Sequence, residues 1–531
     1  MRRWTPSRAL WVSVLTTAVL GLAALPATGA AAAGPILPSQ DPFYTYSGSL
    51  TGVSPGTILK TRTISDVDLG TTLPVSATQV LYRTTGEQGQ PTVTVATIIA
   101  PTGATPVTRV VSYQTAYDAL GSECDPSYTL QGGDSGYDSD EATIIGGYVA
   151  AGYAVVVPDY EGTNLDWGAG QESGYGTIDG VRAAEHVLDL PQGSTPVGLV
   201  GYSGGSIATE FASELAPHYA PNLDIVGVAE GGIPVDFAHN LNYVNGSQDW
   251  SGVIPAVLVG VGRAFGVDLN QYLSSYGEQV TNTVSSQCIN NFLGNYPGLT
   301  IQQLLKPQYQ NFLGITVFAA IIDHLIMGDT GTPKGPLMMG VGNADGTGDG
   351  VMVANDVEAL AHEYCQRGVS VQFSEYSGQD HDNAAIPFEA AALNFLNARL
   401  AGLPVADGCS SIGAGNALTP LPVTGPVPAS LGTAVPKSQS APKLHLRYLG
   451  RRAHRKGVAI QLWSSRGTIT SLVVRLKQGR RVLDTVRVSR VTTRRRQLML
   501  TVRRRTPKKG RYTIAVAKGR STLVTHRFTM R

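Results

Sequence analysis

The sequence predicts an α/β body built on a mostly parallel sheet, followed by a small all-β sandwich of immunoglobulin-like architecture. Three observations carry this. Apolar β-type runs at 110–113, 154–158, 197–201, 225–229 and 337–341 are each followed by a helix-like stretch, the rhythm of parallel strands joined by crossover helices. Beyond residue 440 the rhythm changes to short alternating runs at 458–463, 472–476, 481–491, 497–502, 512–517 and 523–530, the spacing of an antiparallel sandwich. Charge changes at the same place. Residues 441–531 hold 26 Lys and Arg against Asp484 alone, while the preceding 440 residues hold 14 bases and 38 acids. The formal charge of +1 therefore conceals two electrostatically opposite parts. With 42% hydrophobic and 15% charged residues, the 531-residue chain reads as globular rather than disordered.

Taken in order, the chain opens with Arg2, Arg3 and Arg8, an uncharged apolar run at 9–26 and small residues to Ala33. This is the pattern of a signal peptide over 1–33; the run is short for a membrane anchor and lacks a charged stop-transfer flank. The α/β body is expected over 34–410. Residues 411–442, rich in Pro, Gly, Ser and Thr without apolar periodicity, form a linker. Its Leu421-Pro422-Val423-Thr424-Gly425 has the form of a sortase signal, but a basic region follows where an apolar tail should stand. The basic β-sandwich is expected over 443–531. An even count of four cysteines suits an oxidising compartment, and without C-x-x-C or a Cys/His cluster no metal site is expected.

The pattern G-x-S-x-G occurs twice. Gly52-Val53-Ser54-Pro55-Gly56 follows no apolar strand and carries Pro after the serine, so it reads as a turn. Gly201-Tyr202-Ser203-Gly204-Gly205 follows the run at 197–200 and opens a helical pattern. Strand, sharp turn and helix are what a nucleophile elbow requires, with Ser203 Oγ above the sheet and the Gly204 N–H beside it at a helix N-terminus, ready for a developing oxyanion.

In such a triad the acid and then the base follow the serine. His218 and His239 come too soon, His324 lies in an apolar helix-like run, and His362 falls within a helix. His381 stands in a polar loop, Ser377-Gly378-Gln379-Asp380-His381, after the strand at 371–376 and before a helix at 388–400, where a base can reach back to the elbow. The acid is Asp345 or Asp349, both after the run at 337–341; counting from that run favours Asp345, counting back from His381 favours Asp349. Asp345, Thr347, Asp349, Gly350 and Asp356 also make a degenerate calcium loop, without its terminal glutamate or an incoming helix.

These residues resemble the secretory lipases of the lipase A type. The resemblance covers roughly 45–410 and rests on Ser112-Tyr113-Gln114 with Tyr117-Asp118, Val157-Pro158-Asp159-Tyr160-Glu161-Gly162, Ile178-Asp179-Gly180-Val181-Arg182-Ala183-Ala184 and the elbow itself. It implies an α/β-hydrolase with a helical lid inserted at about 233–336, acting on acylglycerols and other esters. It implies Asp118 as a second oxyanion contributor beside Gly204, and the pairings Cys124 with Cys288 and Cys365 with Cys409. Asp349-Gly350-Val351-Met352-Val353 is similar to the family's acid motif but lacks its proline. The basic tail falls outside the resemblance.

The function expected is a secreted serine lipase or esterase working through an acyl-enzyme on Ser203, with no cofactor, as a monomer, on lipid or ester substrates and possible lipid–water interfaces. Two other readings stay open: an acyltransferase or polyester hydrolase on the same triad, and a catalytically silent scaffold. In the last, the basic tail binds anionic cell-surface polymer, which would retain the secreted protein at the cell envelope.

Overall fold

The computed structural model describes residues 34–103, 105–133 and 141–423, and in the basic region 444–452, 457–464, 469–479, 481–491, 494–501, 510–518 and 521–530. The expected leader at 1–33 and linker residues 424–442 lie outside the described residues.

Nine strands form one sheet in the order β1-β2-β3-β5-β4-β6-β7-β8-β9. They are β1 Ile58–Ile64, β2 Val75–Thr85, β3 Pro91–Pro101, β4 Val110–Gln114, β5 Ala154–Pro158, β6 Pro196–Tyr202, β7 Asp224–Gly231, β8 Leu337–Asn343 and β9 Val371–Ser377. The first three pair antiparallel, as do β3 and β5, while β5, β4, β6, β7, β8 and β9 run parallel. Every residue of β4 and β5 is buried, as parallel strands covered on both faces require. Two cores result. One packs the helices Gly170–Val187 and Gly204–Tyr219 on the sheet through Ile178, Val181, Ile207 and Phe211. The other packs Glu141–Ala150 and His381–Leu400 on the opposite face through Ile145, Tyr148, Phe388 and Leu396.

The segment before Val110, which the sequence reading leaves unassigned, supplies β1 to β3. Its strands bury Gln79, Thr84, Thr94 and Thr97 among apolar residues, which blurs the alternation. Distant partners satisfy these groups: Thr84 Oγ1 donates to Asp179 at 2.9 Å and Thr94 Oγ1 to the Asp159 carbonyl at 2.6 Å.

Between β7 and β8 the chain makes the helices Phe237–Val244, Val253–Phe265, Ser275–Val284 and Thr316–His324, with shorter turns among them. The two most apolar of these, Val253–Phe265 and Thr316–His324, are 13 and 9 residues long, and no described helix is long and apolar enough to cross a membrane. Their apolar faces join the first core. Disulfides link Cys124 to Cys288 and Cys365 to Cys409; the first fastens this segment to the loop after β4.

The basic region is two antiparallel sheets, β10-β11-β14 and β13-β12-β15-β16. The strands are β10 Leu444–Arg452, β11 Gly457–Ser464, β12 Ile469–Gln478, β13 Arg481–Val491, β14 Arg496–Thr501, β15 Gly510–Lys518 and β16 Ser521–Met530. Six coincide with the expected runs. The seventh, β10, follows the linker directly and shows its own alternation of Leu444, Leu446 and Tyr448. Val458, Ile460 and Leu462 of one sheet meet Leu472, Val474, Ile514 and Val516 of the other in a core of their own.

Candidate active site

Ser203 stands between β6 and the helix Gly204–Tyr219 with φ 54°, a left-handed conformation that costs a residue bearing a Cβ about 1–3 kcal/mol. Close packing holds it. A Cβ on Gly201 would lie 2.4 Å from the Gly205 carbonyl, and one on Gly205 would lie 2.0 Å from that of Gln114 on β4. The two glycines of the motif are therefore dictated by neighbouring backbone, and the Ser203 N–H is tied to the Gly231 carbonyl at the end of β7, 2.9 Å away.

His381 Nε2 lies 2.7 Å from Ser203 Oγ, and its Nδ1 lies 2.8 Å from Asp349 Oδ2. The other oxygen of Asp349 accepts the Val351 and Met352 N–H groups at 3.1 and 2.7 Å, and the His381 N–H donates to the Asp349 carbonyl at 3.0 Å. Tyr202, the middle residue between Gly201 and the serine, donates its hydroxyl to the His381 carbonyl at 2.7 Å. Trp250 sets its ring edgewise to the imidazole, 5.1 Å between centroids. Contrary to the loop placement read from sequence, His381 is the first residue of the helix His381–Leu400, capped by Asp380, which accepts the Asn383 N–H. Pro387, which looks like a helix start, lies inside it.

Of the two candidate aspartates, only Asp349 reaches the imidazole. Asp345 is exposed and accepts from the Tyr243 hydroxyl and the Thr347 and Gly348 N–H groups. Asp356 turns to His239 and Asn416, so the three carboxylates of the calcium reading face different partners. Ser54 of the other G-x-S-x-G lies in a turn where its carbonyl accepts the Thr57 N–H. Among the remaining histidines, His239 pairs with Asp356 and His324 lies 3.4 Å from Glu87.

Asp118 sits directly on Gly204: a Cβ there would fall 1.6 Å from Asp118 Oδ1. Its carboxylate accepts the Trp167 indole N–H at 2.7 Å. Burial pushes its pKa up to about 6, against the pull of that hydrogen bond and of His381. Burial alone would lower the His381 pKa, but the Asp349 charge and hydrogen bond outweigh it and hold the imidazole above its ordinary 6.5. Ser203, Gly204 and Asp118 open on a cavity lined by Trp167, Phe237, Leu241, Val253, Val257 and Met352 among others. Trp167 and Trp250 each come to the site from a distant segment, and no local pattern in the sequence marks either.

A mostly parallel sheet sandwiched between helices, with a serine at the turn leaving its inner strand β6 and a His–Asp pair carried in from the last two strands, defines an α/β-hydrolase. Residues 137–408 match the secretory lipase family, and the chain belongs to that family. It is 32% identical over 398 residues to lipase A of Arthroderma benhamiae, covering 71% of this chain and 82% of that protein. It is 32% identical over 395 residues to a probable inactive lipase of Mycobacterium tuberculosis, covering 70% and 84%. The crystal structure of Candida antarctica lipase A superposes with a TM-score of 0.66 at 28% identity, covering 71% of this chain and 90% of that one. Family and relatives support a hydrolase of the lipase or esterase kind.

Proposed function

We propose that the protein is an exported serine lipase or esterase that cleaves carboxylic esters of apolar acids, acylglycerols among them, through an acyl-enzyme on Ser203. The observation that carries this reading is the unbroken hydrogen-bonded line from Ser203 through His381 to Asp349 at 2.7 and 2.8 Å. His381 Nε2 takes the Ser203 proton as Oγ attacks the ester carbonyl, and Asp349 stabilises the imidazolium that forms. The oxyanion develops beside the Gly204 N–H, with Asp118, whose burial favours the protonated form, as a second donor through its carboxyl O–H. His381 then returns the proton to the departing alcohol, and water repeats the sequence on the acyl-enzyme. The almost wholly apolar cavity suits the acyl chain. The helices of 233–336 that roof it act as a lid. The retained trio favours a working enzyme over a silent scaffold.

The test is hydrolysis of p-nitrophenyl esters of graded chain length beside Ser203→Ala. Turnover of long chains that vanishes in the variant supports the reading; a folded wild-type protein inactive on every chain length removes it.

The N-terminal pattern over 1–33 and two disulfides support export, with residues 411–442 linking body and sandwich. One observation favours an added role for the sandwich. Strand register places Arg475, Lys477, Arg487, Arg511 and Arg527 on the outer face of the four-stranded sheet, interleaved with Thr485, Thr513, Thr525 and Thr529. Such a face holds anionic cell-surface polymer at low ionic strength. If Arg475→Gln with Arg527→Gln leaves retention of the full chain on such polymer unchanged, this role is lost.

A further inference from the structure

Asn240, on the helix Phe237–Val244, lines the same cavity as Ser203. Apart from Asp118, Ser203 and the two indoles, it is the only described lining side chain that bears nitrogen or oxygen. It is 7% exposed. Its amide nitrogen is engaged, donating to the Val351 carbonyl at 2.7 Å with Met352 Sδ at 3.6 Å, and this fixes the side-chain oxygen as the free end. That oxygen is buried without a hydrogen-bond partner. A buried acceptor left unmatched in an apolar pocket is costly, and the pocket walls around it, Phe237, Leu241, Val244 and Val351, offer no side-chain donor.

We infer that Asn240 is a specificity residue, and that the acyl chain taken into this cavity carries a hydroxyl group part-way along it, which donates to Asn240 Oδ1. The preferred substrate class is an ester of a hydroxylated fatty acid. This rests on the esterase reading above and adds to it a single directed polar contact in an otherwise apolar pocket. A matched hydroxyl satisfies the orphan acceptor, whereas a plain methylene chain buries it unmet. Val351 and Met352, which flank the same amide, also donate to Asp349, so the contact adjoins the loop that holds the triad acid.

The test compares p-nitrophenyl dodecanoate with counterparts hydroxylated at the β carbon or at successive carbons from the ε carbon outward. At one or two adjacent positions the hydroxylated ester is expected to exceed the plain one in kcat/KM by about tenfold. Asn240→Leu is expected to bring that ratio close to one. Asn240→Asp, whose buried carboxylic acid donates to the Val351 carbonyl and keeps an acceptor, is expected to retain it. The ratio cancels general damage from either substitution. No preference at any position, or a preference that survives in Asn240→Leu, overturns the inference while turnover of the plain ester leaves the esterase reading standing. No turnover of any ester overturns both.

Discussion

Replacing Asp349 by Asn is the sharpest probe of the proposed mechanism, because the hydrogen bonds around the carboxylate dictate how an amide must sit. Oδ1 accepts two backbone N–H groups, from Val351 and Met352, so the amide oxygen takes that place and the NH2 group turns toward His381 Nδ1. An NH2 facing Nδ1 forces that nitrogen to accept, which moves the ring proton to Nε2, 2.7 Å from Ser203 Oγ. The imidazole then presents a donor to the serine where the reaction needs a base. No shape change is involved, so stability should alter little, while kcat falls by about 10⁴, or roughly 5.5 kcal/mol in the barrier. Asp345→Asn is the control: its carboxylate touches Tyr243, Thr347 and Gly348 and not His381, so the rate should stay within a few-fold of wild type. The assay is kcat on a short p-nitrophenyl ester, with melting temperature measured for each variant. An Asp349→Asn enzyme retaining a tenth or more of the rate, or an Asp345→Asn enzyme that loses as much as Asp349→Asn does, would refute the reasoning.

Other expectations follow from the same geometry. His381 must be neutral to accept the serine proton, and its pKa is held above 6.5; the acid limb of the kcat/KM profile should therefore fall away at a pH above that value, and an acid limb near pH ~5 would contradict it. Gly205→Ala would drive a Cβ to 2.0 Å from the Gln114 carbonyl, backbone that cannot swing aside, so it should destabilise the fold by about 3 kcal/mol or more, read as a lowered melting temperature. Burial pushes Glu230 up to about 8, and does the same for Glu389. Both folded values exceed the unfolded ~4.3, so their contribution to stability is complete below that pH and is lost as pH rises through about 8. The melting temperature should accordingly drop on going from neutral to about pH 9, less steeply in Glu230→Gln; a wild-type melting temperature flat across that interval would show that these acids do not titrate there.

Several features of this protein were legible in sequence because they depend on local chemistry. The parallel strands announced themselves as short apolar runs, since strands buried on both faces need no polar residues. Glycines two before and two after Ser203 marked the elbow, because any Cβ there meets backbone. Alternation and a sharp change of charge set the basic sandwich apart from the acidic body. What sequence left open depends on chain segments far apart. The choice between Asp345 and Asp349 is a difference of four positions on one loop, and counting cannot decide it. Only the folded loop, with the Val351 and Met352 N–H groups turned inward, carries Asp349 to His381 and leaves Asp345 in solvent. The strands β1 to β3 escaped notice because polar residues are buried in them, Thr84 and Thr94 finding their partners on remote elements at Asp179 and Asp159. Trp167, Trp250 and Asn240 belong to the site for the same reason: a side chain's surroundings follow from the packing of distant segments, which local pattern does not encode. Sequence by itself determined the fold class and singled out Ser203 and His381; tertiary structure alone set Asp349 rather than Asp345 against the imidazole, raised the walls of the cavity and left the Asn240 oxygen unpaired, because burial and hydrogen-bond partnership are properties of the assembled chain.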